Sequence, residues 1–358
     1  MTQFSRRDVQ IAGAALAGAA LAGPANTAAL KETTMDTRET GLRLPEQIIP
    51  VPTSISPQGQ AYLAAAAGRI AAMARTGGQA PSQAELAKAA VAFLAPLAAG
   101  FDGEAETIAL PGGARLLHMK PRAPTGRRAE VAYLDIHGGG FTSGGGEMCE
   151  ILAKIKMLEY RISIFSVDYR LAPEHPYPAG LDDCAAAYAE VLKRVPASAL
   201  VVGGASAGGN LAAALLLRAR AEGRPLPRAL VLQTPGLDLT RSSDSYHTNK
   251  YLDVNLYGGA ETGPQAYAGG HDPKDPFVSP IYGDHDGWPP TILTSGTRDL
   301  LLSDTVRMHR ALRRKGVRAE LHISEASPHG GFMGAGAPED QEIVAECRRF
   351  VMGELGLA

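Results

Sequence analysis

The chain is poor in cysteine, has no patterned metal ligands and carries no dominant charge, and each lack removes a class of function. Only three of its 358 residues are cysteine: Cys149, Cys184 and Cys347. Their spacing fits no metal motif and no short disulfide framework, and one must stay unpaired within a monomer, so they read as small buried hydrophobes. None of the nine histidines stands in an H-E-x-x-H arrangement, so the commonest zinc-hydrolase signature is missing. The formal net charge of −2 leaves neither a basic stripe for nucleic acid nor an acidic tail. The 41 glycines and 25 prolines gather into no low-complexity tract, and no internal repeat is visible. What remains is a globular enzyme or binding protein. Its length and 45% hydrophobic content suffice for a large core, in one capped α/β domain or in two domains.

The N-terminus reads as an address. Ser5-Arg6-Arg7-Asp8-Val9 precedes an Ala/Gly-rich apolar run over residues 11–22. A charged head before a short apolar stretch is the pattern of an export signal, too short for a comfortable membrane span. The paired arginines resemble a twin-arginine signal, the route of already folded proteins, which implies a periplasmic or secreted enzyme. Ala20-Leu21-Ala22 and Thr27-Ala28-Ala29 are the candidate cleavage sites. The alternatives are a dispensable Ala-rich helix, or translation from Met35 and a cytoplasmic protein. Residues 1–34 are therefore set apart as signal and linker.

Residues 40–100 are Ala-rich and helical in pattern, broken by Pro50, Pro52, Pro57 and Pro81, with a helix start at Pro81-Ser82-Gln83-Ala84-Glu85. From Thr107 the pattern alternates. Apolar runs at 131–136, 162–167, 200–203, 229–233, 291–294 and 319–323 read as strands. Helical stretches fall near 147–158, 180–194, 207–221, 303–315 and 339–353. Strands alternating with helices predict an α/β fold with a mostly parallel sheet covered on both faces, over residues 105–358. Residues 238–280 break the alternation. An insertion of that length is usually functional, and with the 40–100 helices it is expected to cap the sheet's C-terminal edge.

Chemistry is concentrated at the strand ends. Val201-Val202-Gly203-Gly204-Ala205-Ser206-Ala207-Gly208-Gly209-Asn210-Leu211 runs strand, G-x-S-x-G, helix. A serine on such a sharp turn needs small neighbours, and the turn lifts its hydroxyl to a helix N-terminus where an oxyanion is favoured. His137-Gly138-Gly139-Gly140-Phe141 follows the first core strand, and its backbone N–H groups, with that of Ala207, form a candidate oxyanion hole. No Lys-Ser/Thr follows, so a phosphate loop is excluded. After a serine nucleophile of this type the chain order is acid, then histidine. His309 lies mid-helix and His322 in a strand, leaving His329 in the loop Ser327-Pro328-His329-Gly330-Gly331-Phe332 as base. Asp299 follows the 291–294 strand and is the candidate acid. Asp304 reads better as a helix-start acid, and Asp238 is a second rival.

With these motifs the chain resembles the bacterial branch of the hormone-sensitive lipase family (family IV esterases) of α/β-hydrolases, over roughly residues 105–355. His137-Gly138-Gly139-Gly140-Phe141 matches its oxyanion motif. Asp168-Tyr169-Arg170-Leu171-Ala172-Pro173-Glu174-His175-Pro176-Tyr177-Pro178-Ala179 matches its second hallmark, and Gly204–Asn210 its nucleophile motif. Three departures stand out: Ala205 where the family usually has Asp, Leu300 where proline is common, and an extra glycine after His329. The resemblance implies an eight-stranded sheet with a helical cap. It makes Gly139, Gly140 and Ala207 the oxyanion donors, with Gly138 and His137 shaping the loop, and Arg170–His175 structural support beneath the site.

The function expected is hydrolysis of short to medium acyl esters by a Ser206–His329–Asp299 triad through an acyl-enzyme, with activity failing below the His329 pKa. A lactonase or amidase would use the same triad. A non-catalytic ligand-binding protein on this fold is the alternative from another class, and an intact base argues against it. No metal or organic cofactor is implied, and no nucleic acid partner or stable membrane span. A homodimer is left open. Tyr246, Tyr251, Tyr257, Tyr267 and Phe277 either line the pocket or pack within the cap.

Overall fold

The computed structural model describes residues 41–42, 45–76, 83–122, 124–260 and 262–357. Contacts divide the chain into Met1–Ile48 and Ile49–Ala358, and the second unit carries everything below. The export signal read at residues 1–34 lies outside the described residues, as do Pro81 and Ser82.

Six strands form the parallel part of the sheet: β3 (Ala132–Ile136), β4 (Ser163–Asp168), β5 (Leu200–Ala205), β6 (Ala229–Gln233), β7 (Thr291–Gly296) and β8 (Ala319–Ser324). An antiparallel hairpin, β1 (Gly103–Ala109) with β2 (Arg115–Pro121), completes eight strands in the order β1-β2-β4-β3-β5-β6-β7-β8. Alternate residues along a strand point to opposite faces. Leu134, Ile136, Val202, Leu230, Leu232 and Leu293 thus pack into one apolar layer, while Tyr133, Val201, Val231 and Ile292 pack into the other. That is why the central strands read as unbroken hydrophobic runs.

Helices α4 (Ala179–Leu192), α5 (Ala207–Ala221) and α8 (Leu302–Arg314) close the first layer; α3 (Glu147–Tyr160) and α9 (Pro338–Glu354) close the second. Twelve residues of α5 are buried, from Ala207 to Ala219, which accounts for its small, apolar composition. The helix α8 is sharply two-faced instead. It buries Asp304, Thr305, Met308 and Leu312, with Arg310, Arg313 and Arg314 turned outward.

The five helices fall within two residues of their expected ends. The hairpin was not legible in the pattern. Strand β1 is an edge with exposed Glu104 and Thr107, so it shows no apolar run. The 40–100 segment forms α1 (Pro57–Thr76) and α2 (Gln83–Leu94). Pro57 opens α1 at the position where its missing N–H costs nothing, and the Ser56 hydroxyl accepts the Gly59 N–H at 3.1 Å. The inner face of α1 sets Leu63 against Phe332 and Ala337, just beyond the His329 loop. Among the described residues of the 238–280 insertion there are two short α-helices, α6 (Ser245–Thr248) and α7 (Thr262–Ala268). Among the described residues no helix is long and apolar enough to cross a membrane.

Candidate active site

Ser206 stands between β5 and α5 with φ 55° and ψ −120°. A side-chain-bearing residue is strained there, and the surroundings hold it. Its N–H donates to the Gln233 carbonyl at 2.9 Å, and its carbonyl accepts the Asn210 and Gly236 N–H groups. The close turn leaves no room for side chains beside it. A Cβ on Gly208 would collide with the Ile136 and His137 carbonyls, and one on Gly204 with the Gly208 carbonyl.

The Ser206 Oγ lies 2.9 Å from His329 Nε2, and His329 Nδ1 lies 3.0 Å from Asp299 Oδ1. A carboxylate only accepts, so Nδ1 carries the proton and donates to Asp299, leaving Nε2 to accept the Ser206 hydroxyl. Asp299 is fully buried. Its Oδ2 accepts the Ser295 hydroxyl at 2.6 Å and its Oδ1 the Leu301 N–H at 2.9 Å. Burial works against the His329 imidazolium, but the charge and hydrogen bond of Asp299, with the charge of Asp253 behind them, hold its pKa above the ordinary histidine value.

The three glycines of the oxyanion loop run past the serine. Among the described residues no acceptor answers the N–H groups of Gly139 and Gly140, and the Ala207 N–H lies in the first turn of α5, where no intrahelical partner exists. Gly139 has φ 116° and its carbonyl accepts the Thr142 and Ser143 N–H groups, a bend that a side chain would resist. Gly138 packs against the Ala205 carbonyl and the Ser206 Cβ. The Arg170–His175 segment lies against this loop. The Tyr169 hydroxyl donates to the His137 carbonyl at 3.1 Å, the two rings stack at 4.3 Å, and the Ala172 N–H donates to the Phe141 carbonyl. Arg170 in turn grips the buried Asp183 with a forked pair of hydrogen bonds.

Both rival acids stand elsewhere. Asp304 accepts the Leu237 and Asp238 N–H groups and the Ser243 hydroxyl, and burial pushes its carboxyl up to about 7. Asp238 pairs with Arg307 at 2.6 Å. Together they pin the root of the insertion to α8.

Three further residues, absent from the sequence reading, grip the Asp299 and His329 loops from within the insertion. The Asn249 side chain donates to the Asp299 carbonyl at 2.8 Å. Asn255 donates to the carbonyls of His329 and Gly331 and accepts the Tyr62 hydroxyl of α1 at 2.6 Å. Asp253, fully buried, accepts N–H groups from the insertion, the acid loop and the base loop. Asp253-Val254-Asn255 has ordinary turn composition, and no spacing in the sequence tells it from a loop.

A cavity of about 440 Å³ opens on Ser206 and His329, lined by Thr234, Leu256, Ala260, Thr262, Pro264 and Met333. Across Gly139 a second, of about 500 Å³, is lined by Ala90, Val91 and Leu94 of α2 with Met148 and Leu152 of α3. A more open hollow of about 770 Å³ behind α7 contains none of the three central residues. None of the five aromatics weighed as pocket lining borders the cavity on Ser206. Tyr267 is buried and stacks on Phe141 at 4.0 Å, Tyr251 and Tyr257 form an exposed edge-to-face pair, Tyr246 is half-buried, and Phe277 packs on the core. Tyr267 and Phe277 thus serve packing, while Tyr251 and Tyr257 meet each other at the surface.

Among the described residues, three sets of potential metal donors lie close together, and each is already engaged. Asp168 binds Arg115 and the Gly146 N–H; Glu320 and Glu346 share Arg349; Asp253, Asp299 and His329 are tied as above.

A family model described as the alpha/beta hydrolase fold matches residues 133–333, more than half of the chain. An esterase of Acinetobacter venetianus is 32% identical over 219 residues, 60% of this chain and 72% of the relative. The crystal structure of an esterase, E25, is 31% identical, covers 88% of this chain and 99% of its own, and superposes with a TM-score of 0.77. An esterase structure from the bacterial hormone-sensitive lipase family is 26% identical, covering 85% of this chain and 100% of its own, with a TM-score of 0.74. The chain belongs to the α/β-hydrolase family, in its bacterial hormone-sensitive lipase branch.

Proposed function

We propose that the chain hydrolyses short to medium acyl esters through a covalent acyl-enzyme on Ser206, with His329 as general base and acid and Asp299 as its orienting carboxylate. Membership of the family makes it an ester-hydrolysing serine hydrolase. The observation that carries the mechanism is the unbroken line of contacts from Ser206 Oγ to His329 Nε2 and from His329 Nδ1 to Asp299. His329 takes the serine proton as Oγ attacks the ester carbonyl, and Asp299 stabilises the imidazolium that forms. Negative charge on the tetrahedral oxygen meets the N–H groups of Gly139, Gly140 and Ala207, with Gly138 and His137 holding the loop's shape. One such donor is commonly worth about 10²–10³ in turnover. The imidazolium then protonates the leaving alcohol, and water, activated in turn by His329, releases the acid. The two apolar cavities on either side of Gly139 suit the two arms of an ester of modest size. We further propose export through the twin-arginine route, to the periplasm or beyond, on the Ser5-Arg6-Arg7-Asp8-Val9 pattern.

The test is hydrolysis of p-nitrophenyl esters from acetate to laurate by the wild type and by Ser206→Ala. Turnover highest on the shorter chains and lost in the variant is the expected result. A folded wild type inert on every ester would sink the reading, and lactones, amides and ligand binding would then be assayed on the same protein.

A further inference from the structure

We infer that Asp253, in the cap insertion, is a positioning residue for the catalytic machinery: its carboxylate locks the acid loop and the base loop in register and sets a second negative charge behind the His329 ring. This rests on the triad reading above.

Asp253 is fully buried, and its oxygens answer four backbone N–H groups. Those of Asn255 and Leu256, at 3.0 and 3.1 Å, close its own turn. That of Leu300, at 2.8 Å, belongs to the residue directly after Asp299. That of His329 itself reaches both oxygens at 3.3 Å. A single side chain therefore joins the carboxylate that orients the base, the base, and Leu256 of the cavity wall. A movement of the insertion is transmitted through this joint to the His329–Asp299 pair.

The charge matters as well as the contacts. One oxygen each of Asp253 and Asp299 and a ring nitrogen of His329 lie within 4.8 Å of one another. Ser206 faces the ring from the elbow. Farther out, Tyr62 of α1 feels the charges of Arg69, Asp253 and Asp340, and Tyr246 in the insertion feels that of Asp299. Among the described residues, Asp299 first and then Asp253 supply the negative charge that acts on the ring. Burial lifts the Asp253 carboxyl above its usual range, while the N–H groups and His329 oppose that. Four N–H donors call for an acceptor-only carboxylate, because a protonated acid would turn its own O–H on one of them.

One departure in the sequence fits this joint. Leu300 stands where the resemblance leads one to expect proline, and proline has no N–H to give to Asp253. The bond is available to this chain because of that replacement.

The experiment is Asp253→Asn, read by the pH profile of kcat/KM on a p-nitrophenyl ester and by the NMR titration of the His329 ring. The variant keeps the shape but loses the charge and one acceptor. Expected are a fall in kcat of about 10–100-fold, as for other groups that orient a catalytic side chain, and a downward move of about 1 unit in both the acid limb and the ring titration. A folded variant whose kcat falls while limb and ring stay in place would overturn the charge role, since a purely structural loss moves neither. A second variant, Leu300→Pro, removes one N–H and leaves the charge, so kcat should fall severalfold with the limb unmoved. It carries the question if Asp253→Asn does not fold, and an unchanged kcat there would overturn the joint. The ring titration needs no turnover, so absence of serine-dependent hydrolysis in the wild type would fail the triad reading without deciding the role of Asp253.

Discussion

At the residue scale the site is a problem of proton placement. On the proposed mechanism the buried His329 ring must be neutral to accept the Ser206 proton, yet its neighbours favour the charged form and raise its pKa. The sign of the consequence follows directly. Because the shift is upward, imidazolium persists above the ordinary histidine pKa of about 6.5, and the free base is populated only at higher pH. The acid limb of kcat/KM should therefore have its midpoint above that value, and activity should fall about tenfold per unit below the midpoint. Removing the charge of Asp299 acts on both counts. In Asp299→Asn the ring loses the partner that fixes its tautomer and the charge that stabilises the imidazolium, so kcat should drop by about 10³–10⁴-fold. The fold should survive, since the amide fills the same space next to Ser295. Steady-state kinetics at a pH above the wild-type limb checks this, and a variant within tenfold of wild type would remove Asp299 from the triad. These three residues were legible in the sequence because each stands at a strand end in the required order. Asp253 was not, because its role depends on which loops the fold brings to it.

At the element scale the candidate oxyanion loop is held from behind as well as by its own turn. Phe141 closes the glycine run and stacks on Tyr267 of α7, whose carbonyl accepts the Tyr177 N–H. The helix α7 thus ties the insertion to the loop through one aromatic pair. The Tyr267 ring is buried and its hydroxyl meets no partner among the described residues, so the ring carries the contact and the hydroxyl opposes it. Two substitutions separate these terms. Tyr267→Phe should leave stability unchanged or raise it by up to about 1 kcal/mol, with turnover intact. Tyr267→Ala should cost about 3–5 kcal/mol and lower kcat, because Phe141 loses its support. Urea unfolding of both variants reads the first quantity and ester turnover the second; equal losses in the two would refute the argument. Legibility differs between elements for the same physical reason. Strands β3 to β7, covered on both faces, announce themselves as apolar runs. Edge strand β1 has water on its exposed residues, and the insertion has few apolar residues to bury, so neither shows a period. The insertion itself could be expected, as a break in the strand–helix alternation. Its grip on Asp299 and His329, through Asn249, Asp253 and Asn255, is a tertiary fact.

At the scale of the whole molecule the cysteines and the N-terminus bear on one another. Cys149, Cys184 and Cys347 are all free and buried, and none has a disulfide partner. Burial raises all three thiols, Cys347 to about 12, so in the folded protein the reactive thiolate is scarce and shielded. An unfolded chain has no such protection. Threaded unfolded into an oxidising compartment, it would expose three thiols able to pair wrongly before the core closes. Passage in the folded state avoids that hazard, which is what a twin-arginine signal provides. The expected behaviour follows for the full chain expressed in a Gram-negative host with this pathway. Esterase activity should appear in the periplasmic fraction, whereas the double substitution Arg6→Lys and Arg7→Lys should leave it in the cytoplasm. Turnover per molecule should be the same in both, because the substituted residues lie outside the unit that holds Ser206, His329 and Asp299. Cell fractionation with activity staining distinguishes the cases. Activity that reaches the periplasm equally well without the paired arginines would refute the route, and activity confined to the cytoplasm in both would refute export altogether.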